Sequence, residues 1–227
     1  MNYKLVTSPY GAHKQIVELV GHRQQVLEFG CASGYLSELL AAQGCEVVGI
    51  ERDPEAKLAA QQHCRSVIAA DLNTLETIPF PFGSFDVLLF ADVLEHLLDP
   101  AAVLRRFIPY LRSDGRVVVS IPNIANWTIR WELIRGRWNY TDNGLMDETH
   151  LHFYTRRTAR ELLESADLQI IHEDVTQGLY HLPLYRATVH RLLSHLRLQD
   201  RVAYRLAKVR PELWALQFIY VATRKPG

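Results

Sequence analysis

Residues 26–34, Val-Leu-Glu-Phe-Gly-Cys-Ala-Ser-Gly, join a short apolar run to a turn and then to a helical stretch over 35–43. Few other nine-residue stretches of this chain narrow its fold so far. Gly30 and Gly34 let the main chain turn sharply and let a ligand come close to it. The helix that follows presents unpaired N–H groups at its start, which favour a carboxylate or a phosphate. Glu28 lies inside the apolar run, where an acid is costly without a partner. The ammonium of a bound ligand would be one.

A second strand pattern (46–50) ends in Glu51, twenty-one residues beyond Gly30. An acid roughly 20 residues after a glycine turn is placed to accept hydrogen bonds from two ribose hydroxyls. A dinucleotide turn of the form G-x-G-x-x-G fits poorly, because Ala32 and Tyr35 would stand at its second and third glycines. Tyr35 would crowd the helix–strand contact that the third glycine serves. A nicotinamide-dependent reductase is disfavoured on that ground.

Strand patterns at 26–29, 46–50, 66–69, 85–90 and 115–120 alternate with helical ones, and further strands are expected at 169–175 and 215–223. The alternation predicts a doubly wound α/β sheet, with ligands beyond the carboxyl ends of its strands. Glu28, the 30–34 loop, Glu51, Asp71 and Asp92 would gather at that edge. A helix is expected over 9–21, with Pro early and Gly after its end.

These motifs resemble the class I S-adenosylmethionine-dependent methyltransferases, whose first motif reads acid-x-Gly-x-Gly-x-Gly. Glu28, Gly30 and Gly34 match it, and Ala32 replaces the middle glycine. The resemblance continues through Glu51, Asp71-Leu72, the strand at 85–90 and the segment Ala91-Asp92-Val93-Leu94-Glu95-His96, over about the first 175 residues. It implies a seven-stranded Rossmann-like sheet with an antiparallel last strand and S-adenosylmethionine as cofactor. Glu28 would engage the methionine amino group, and the main chain of Gly30, Cys31, Ala32 and Gly34 the methionine end. Glu51 would hold the ribose, Asp71 the adenine amino group and the Leu72 N–H a ring nitrogen. Arg52, Ala91 and Asp92 complete the implied cofactor set. Each residue also has a local role open to it: Asp71 as a turn residue, Glu51 as a solvated strand end.

If 92–96 is helical, Asp92, Glu95 and His96 share one face. Two carboxylates and an imidazole in that arrangement suit a divalent metal, and His96 alone suits a general base. The segment is similar to the acid-x-x-Glu-His of ubiquinone-biosynthesis O-methyltransferases. Thr149-His150-x-x-Phe153 resembles another segment of that group, which makes His150 a fourth ligand or a second base. The competing reading is a capping box, with Asp92 as N-cap and Glu95 reaching back. His150 and His152 alternate, so at most one should reach the site. Thr155 is expected to cap a helix over 156–167.

The chain of 227 residues, 48% hydrophobic and 22% charged, is expected to form one domain (1–227) with two departures from the bare fold. In the first, 122–148, Ile124, Trp127, Trp131 and Ile134 form one helical stripe, read as a cover lying on something apolar. Arg130, Arg135, Arg137, Trp138 and Tyr140 beside it suit a sugar, a phosphate or an acidic aromatic acceptor, so the segment is expected to be a lid. Pro122-Asn123-Ile124-Ala125-Asn126-Trp127, Trp138-Asn139-Tyr140-Thr141-Asp142 and Thr149-His150-Leu151-His152-Phe153 together resemble methyltransferases of cell-surface glycan synthesis. The second, 180–210, is expected to be helical. From 184 to 210 it carries six Arg and one Lys against one Asp, which suits either a solvated face or an anionic membrane or lipid-linked acceptor.

Net charge is zero, so no nucleic acid partner is expected. The N-terminus shows no signal-peptide pattern and no apolar run reaches membrane-spanning length, so a cytoplasmic protein is expected. Cys31, Cys45 and Cys64 form no C-x-x-C pair and are read as reduced core thiols. The expected activity is methyl transfer to a hydroxyl of a small-molecule or glycan acceptor. The alternatives are an N- or C-methyltransferase on the same fold and a binding protein without turnover.

Overall fold

A computed structural model describes residues 10–177 and 198–226. Seven strands form one sheet in the order β3-β2-β1-β4-β5-β7-β6. They are β1 (Gln25–Phe29), β2 (Glu46–Glu51), β3 (Ser66–Ala69), β4 (Phe85–Ala91), β5 (Leu111–Pro122), β6 (Leu168–Gln177) and β7 (Ala215–Arg224). Strands β1 to β5 run parallel, and β7 is antiparallel to both β5 and β6. The expected sheet and its reversed last strand are both present. Strand β5 starts four residues earlier than its sequence pattern, where Leu111 opposes Phe85 before a register shift.

Helices cover both faces, so the central strands are apolar on both sides instead of alternating. Val26, Val87, Leu89, Val118, Ile219 and Val221 pack toward α1 (Ala12–Val20) and α2 (Tyr35–Ala42). Leu27, Phe29, Leu88, Phe90, Val117, Val119, Phe218 and Tyr220 point the other way, toward α4 (Pro100–Phe107) and α6 (Arg156–Ser165). Phe29 and Phe90 are register partners whose rings stack at 4.0 Å, which locks β1 to β4 where the site begins. Glu28 takes the α2-facing side of β1 and is 3% exposed.

The remaining described α-helices are α3 (Pro54–Ala60), α5 (Trp127–Ile134), α7 (Leu198–Val209) and the single turn α8 (Pro211–Trp214). Pro54 and Asp53 start α3 as N1 proline and N-cap, and Thr155 caps α6, as expected of it, through a reciprocal pair with Thr158. The stripe on α5 does not lie on the core. None of its residues is buried, and Ile134 is 77% exposed while Ile124 and Trp127 are only partly covered. The apolar spacing is real, but Trp131, Leu133 and Ile134 on this helix are exposed. No described helix is long and apolar enough to cross a membrane. Residues 184–197 of the basic stretch expected over 184–210 lie outside the described residues; the rest contains all of α7.

Candidate active site

The loop after β1 is held by main-chain hydrogen bonds to β2. Gly30 and Cys31 donate to the Ile50 carbonyl, and Gly34 donates back to Cys31. Gly30 and Gly34 both take positive φ, at 65° and 81°. A Cβ on Gly34 would lie 2.8 Å from the Ala60 Cα, and one on Gly30 would lie 3.0 Å from Val93 Cγ2. The two glycines are therefore required by close contacts as well as by backbone angle. Ala32, at the motif's middle glycine position, also sits at positive φ (47°) and carries a strain that glycine would avoid.

Glu51 closes this loop onto β2. Its Oε2 accepts from the Ala32 N–H at 2.9 Å and its Oε1 from the Asp53 N–H at 2.8 Å. Each oxygen keeps a further lone pair for a ligand hydroxyl. Asp71 forms a local turn, its Oδ1 accepting from the main chain and side chain of Asn73. Asn73 Oδ1 in turn accepts from Leu98, tying the loop after β3 to the chain after β4. Leu72 is buried, Arg52 exposed and Ala91 half-buried at the same edge of the sheet. Glu28 Oε2 accepts from Ser37 Oγ on α2 at 2.5 Å. Burial pushes its carboxyl up to about 8, against the lowering effect of that bond.

The segment after β4 departs from the helical expectation. Asp92 adopts φ 54°, and only one 3-10 turn, Leu94–His96, follows. Val93 precedes that turn with no side-chain cap, so the capping box is not formed. The Asp92 carboxylate points instead to β5 and β7, accepting from Ser120 Oγ at 2.9 Å and from Gln217 Nε2 at 2.8 Å. Burial raises its pKa, and those two bonds oppose the rise. Asp92 is thus withdrawn from the face it was expected to share with Glu95 and His96.

Glu95, His96 and His150 do come together, with one ligand atom from each within 4.8 Å of the others. The contact is made by main chain: the Glu95 carbonyl accepts from the N–H groups of Leu151 and His152. His150 Nε2 lies 4.0 Å from Glu95 Oε1, and the two imidazoles meet edge-on at 4.7 Å. His152 turns away, with Nε2 3.4 Å from the Leu98 carbonyl, so only one of the alternating histidines joins the group. His96 Nδ1 faces the Thr149 carbonyl and the Thr149 hydroxyl, both at 3.1 Å. That hydroxyl already donates to Asp147 at 2.6 Å, so Nδ1 carries the proton and Nε2 keeps its lone pair. Both Glu95 carboxylate oxygens are buried without a hydrogen-bond partner. Burial first, then the nearby Asp92 charge, raises the Glu95 pKa well above the carboxylate range. Burial first, then His96, lowers that of His150.

Glu95, Ile124, Leu145, Phe153 and Tyr154, with both His150 and His152, line a tight crevice beside this group. Trp138 packs edge-on against Phe153 at 5.4 Å, with Tyr140 at 6.4 Å. Arg130 donates to the Ala125 carbonyl, while Arg135 and Arg137 pair with Glu132. Asn123 and Asn126, both fully buried, fix the chain entering this wall by donating to the Ala215 carbonyl at 2.9 and 2.7 Å.

Sequence reasoning missed Ser37, Ser120, Gln217 and the two asparagines. The available signal was a polar residue inside an apolar strand: Ser120 in Val-Val-Val-Ser-Ile, Gln217 in Ala-Leu-Gln-Phe-Ile.

The model of the family described as a methyltransferase domain matches residues 12–173. The chain belongs to that methyltransferase-domain family. A ubiquinone biosynthesis O-methyltransferase of Bradyrhizobium diazoefficiens is 36% identical over 106 residues, 45% of this chain and 41% of that protein. The chain thus spans less than half the length of that relative. An S-adenosylmethionine-dependent methyltransferase of Methanosarcina mazei has the same fold, with a TM-score of 0.63 at 15% identity over 99% of this chain and 100% of that one. The [4+2]-cyclase SpnF is similar as well, with a TM-score of 0.60 at 13% identity over 95% of this chain and 81% of that one. The methyltransferase sheet therefore sets a frame, and the chemistry must be argued from the residues at its edge.

Proposed function

We propose that the protein transfers the methyl group of S-adenosylmethionine to a hydroxyl of a small-molecule or glycan acceptor. The observation that carries this reading is the Glu95/His96/His150 group, buried at the carboxyl end of β4 beside the strand that feeds the cofactor loop. Gly30 touches Val93, so the proposed donor and acceptor sites share a wall. In this reading Glu51 takes the ribose hydroxyls, Asp71 and the Leu72 N–H the adenine, and the 30–34 main chain the methionine end. Glu28, whose carboxyl is pushed up to about 8 by burial, faces the ammonium through water.

The reaction is an in-line displacement: the acceptor oxygen bonds to the methyl carbon while the sulfonium C–S bond breaks. His96 Nε2, with its lone pair free, takes the hydroxyl proton, and His150 stands as the second base. Alignment supplies most of the acceleration, and a dry pocket helps because the donor's positive charge disappears.

Two imidazoles and one carboxylate with no other partner suit a divalent cation, and the orphaned Glu95 oxygens favour one here. Glu95, His96 and His150 would hold it, with Asp92 outside the group; His96 would then use its Nε2 lone pair as a ligand, in place of the base role above. A bound cation would lower the pKa of an acceptor hydroxyl, which a sugar needs more than a phenol does.

The test is turnover with labelled cofactor against a panel of hydroxylated sugars and phenols, read by mass spectrometry as a methyl gain. Methyl on oxygen supports the proposal, and loss of turnover on chelation with rescue by Mg²⁺, Mn²⁺ or Zn²⁺ supports the cation. Methyl on nitrogen or carbon overturns the hydroxyl acceptor. Cofactor that stays intact with every acceptor points to a binding protein.

A further inference from the structure

Cys31 and Cys64, 33 positions apart in sequence, meet behind the cofactor loop. A Cβ on Gly49 would lie 2.5 Å from Cys31 Sγ and 3.4 Å from Cys64 Sγ, so both sulfurs crowd the same point. Gly49 sits mid-strand in β2, paired with Glu28 on one side and Val67 on the other. Glycine weakens a strand interior and marks a place where something must approach closely. Here that something is a pair of sulfurs.

The pair ends a line of donors. Beside Cys31, Cys64 Sγ donates to Ser37 Oγ at 3.1 Å, and Ser37 donates to Glu28. The same two elements touch again at Gly34 and Ala60, and the Cys64 N–H donates to the Ala60 carbonyl. The glycine loop therefore rests on the end of α3 at two points, one of them a thiol contact. Cys31 is 1% exposed, whereas Cys64 is only half-buried. The neighbouring Cys31 thiol draws the Cys64 thiol down to about 7, which favours its thiolate, while Cys31 is pushed up.

We propose that Cys31 and Cys64 are a reversible redox couple that switches cofactor binding, an inference that rests on the cofactor reading above. A hydroperoxide supplies the oxidising equivalents. The Cys64 thiolate attacks the outer peroxide oxygen, the O–O bond breaks, and a sulfenic acid and an alcohol or water result. The Cys31 thiol then attacks the Cys64 sulfur and expels water, leaving a disulfide. A dithiol reverses it by exchange, becoming a disulfide itself. Disulfide sulfurs lie about 2 Å apart, closer than any thiol hydrogen bond, so closure draws Cys31 toward α3. The residue that moves belongs to the loop that receives the methionine end.

The test treats the full chain with stoichiometric hydrogen peroxide. Intact mass should fall by about 2 Da, peptide mapping should join Cys31 to Cys64, and only Cys45 should remain open to a thiol label after unfolding. Calorimetry should show S-adenosylhomocysteine bound about tenfold more weakly after oxidation, with recovery on dithiothreitol, and cofactor bound beforehand should slow closure. Cys64→Ser should bind as the reduced protein does, before and after peroxide. Cys64 converted to sulfinic acid while Cys31 stays labelled overturns the couple. A joined protein that binds as tightly as the reduced one overturns the switch. Reduced protein that closes the disulfide yet binds no S-adenosylhomocysteine overturns the cofactor reading and the switch, and leaves the couple standing.

Discussion

Two acids at the same edge of the sheet are treated in opposite ways. Glu51 has a main-chain N–H on each carboxylate oxygen and holds the cofactor loop in place without any ligand. Glu95 has nothing on either oxygen, although both are buried. The first is a finished piece of backbone architecture built within twenty residues. The second is assembled across more than fifty, when 149–152 folds back on the 3-10 turn after β4. A buried carboxylate without donors is costly, on the order of 1–3 kcal/mol even when it is neutral. A fold tolerates it where a ligand will later meet it. On the proposed function, the edge assigned to the cofactor is thus preorganised, and the edge assigned to the acceptor is not.

That contrast breaks most easily at the acceptor edge. Glu95→Gln and His96→Ala should each lower kcat by roughly 10²–10⁴-fold while leaving S-adenosylhomocysteine affinity intact. Single-turnover kinetics beside calorimetry would separate the two effects. If cofactor binding fell instead, the two edges would not be independent. The next largest effect belongs to Glu51→Ala. It removes two charge-assisted bonds at about 1.5–3 kcal/mol each and frees the Ala32 N–H, so S-adenosylhomocysteine should bind at least about a hundredfold more weakly. A change below threefold, measured by titration, would mean the loop stands without its acid.

The same division governs what the sequence could reveal. Every strand was readable, because apolar runs of four to seven residues bounded by turns leave little freedom. The geometry of the 30–34 loop and of Glu51 was readable too, since both lie within one β-turn-α-β unit. Residues 92–96 were misjudged because their spacing suits a helix, whereas Asp92 takes left-handed backbone and reaches Ser120 and Gln217 on other strands. Nothing local to 92–96 reports a partner 125 residues away. The stripe on α5 misled for a related reason: periodicity shows that a helix has an apolar side, not that anything covers it. The sulfur pair escaped notice because neither cysteine has a near neighbour in sequence.

A smaller effect tests whether Glu28 belongs to the preorganised edge. Its carboxyl is held near 8 when folded and returns to about 4.5 when unfolded. Between those values the folded state keeps a proton that the unfolded state has lost, so stability without cofactor falls as pH rises through the window. Above about 8 both forms are ionised and the slope ends. The fall should be steepest near neutral pH, approaching 1.4 kcal/mol per pH unit at most. Denaturant midpoints at pH 5, 6, 7 and 8 would show it, and Glu28→Gln should flatten the curve. A wild-type midpoint that does not change over that range would place the cost of burying the acid elsewhere.

Ala32 gives the finest discrimination, because it is the one motif position where the chain departs from glycine. A left-handed alanine costs about 1–2 kcal/mol, and glycine there costs about 0.5–1 in added freedom of the unfolded chain. Ala32→Gly should therefore stabilise the protein by about 0.5–1 kcal/mol in denaturant titration. Its N–H still reaches Glu51, so S-adenosylhomocysteine affinity should move less than about threefold. If affinity drops further while stability rises, the strain at φ 47° is itself part of how the loop is held ready for its ligand.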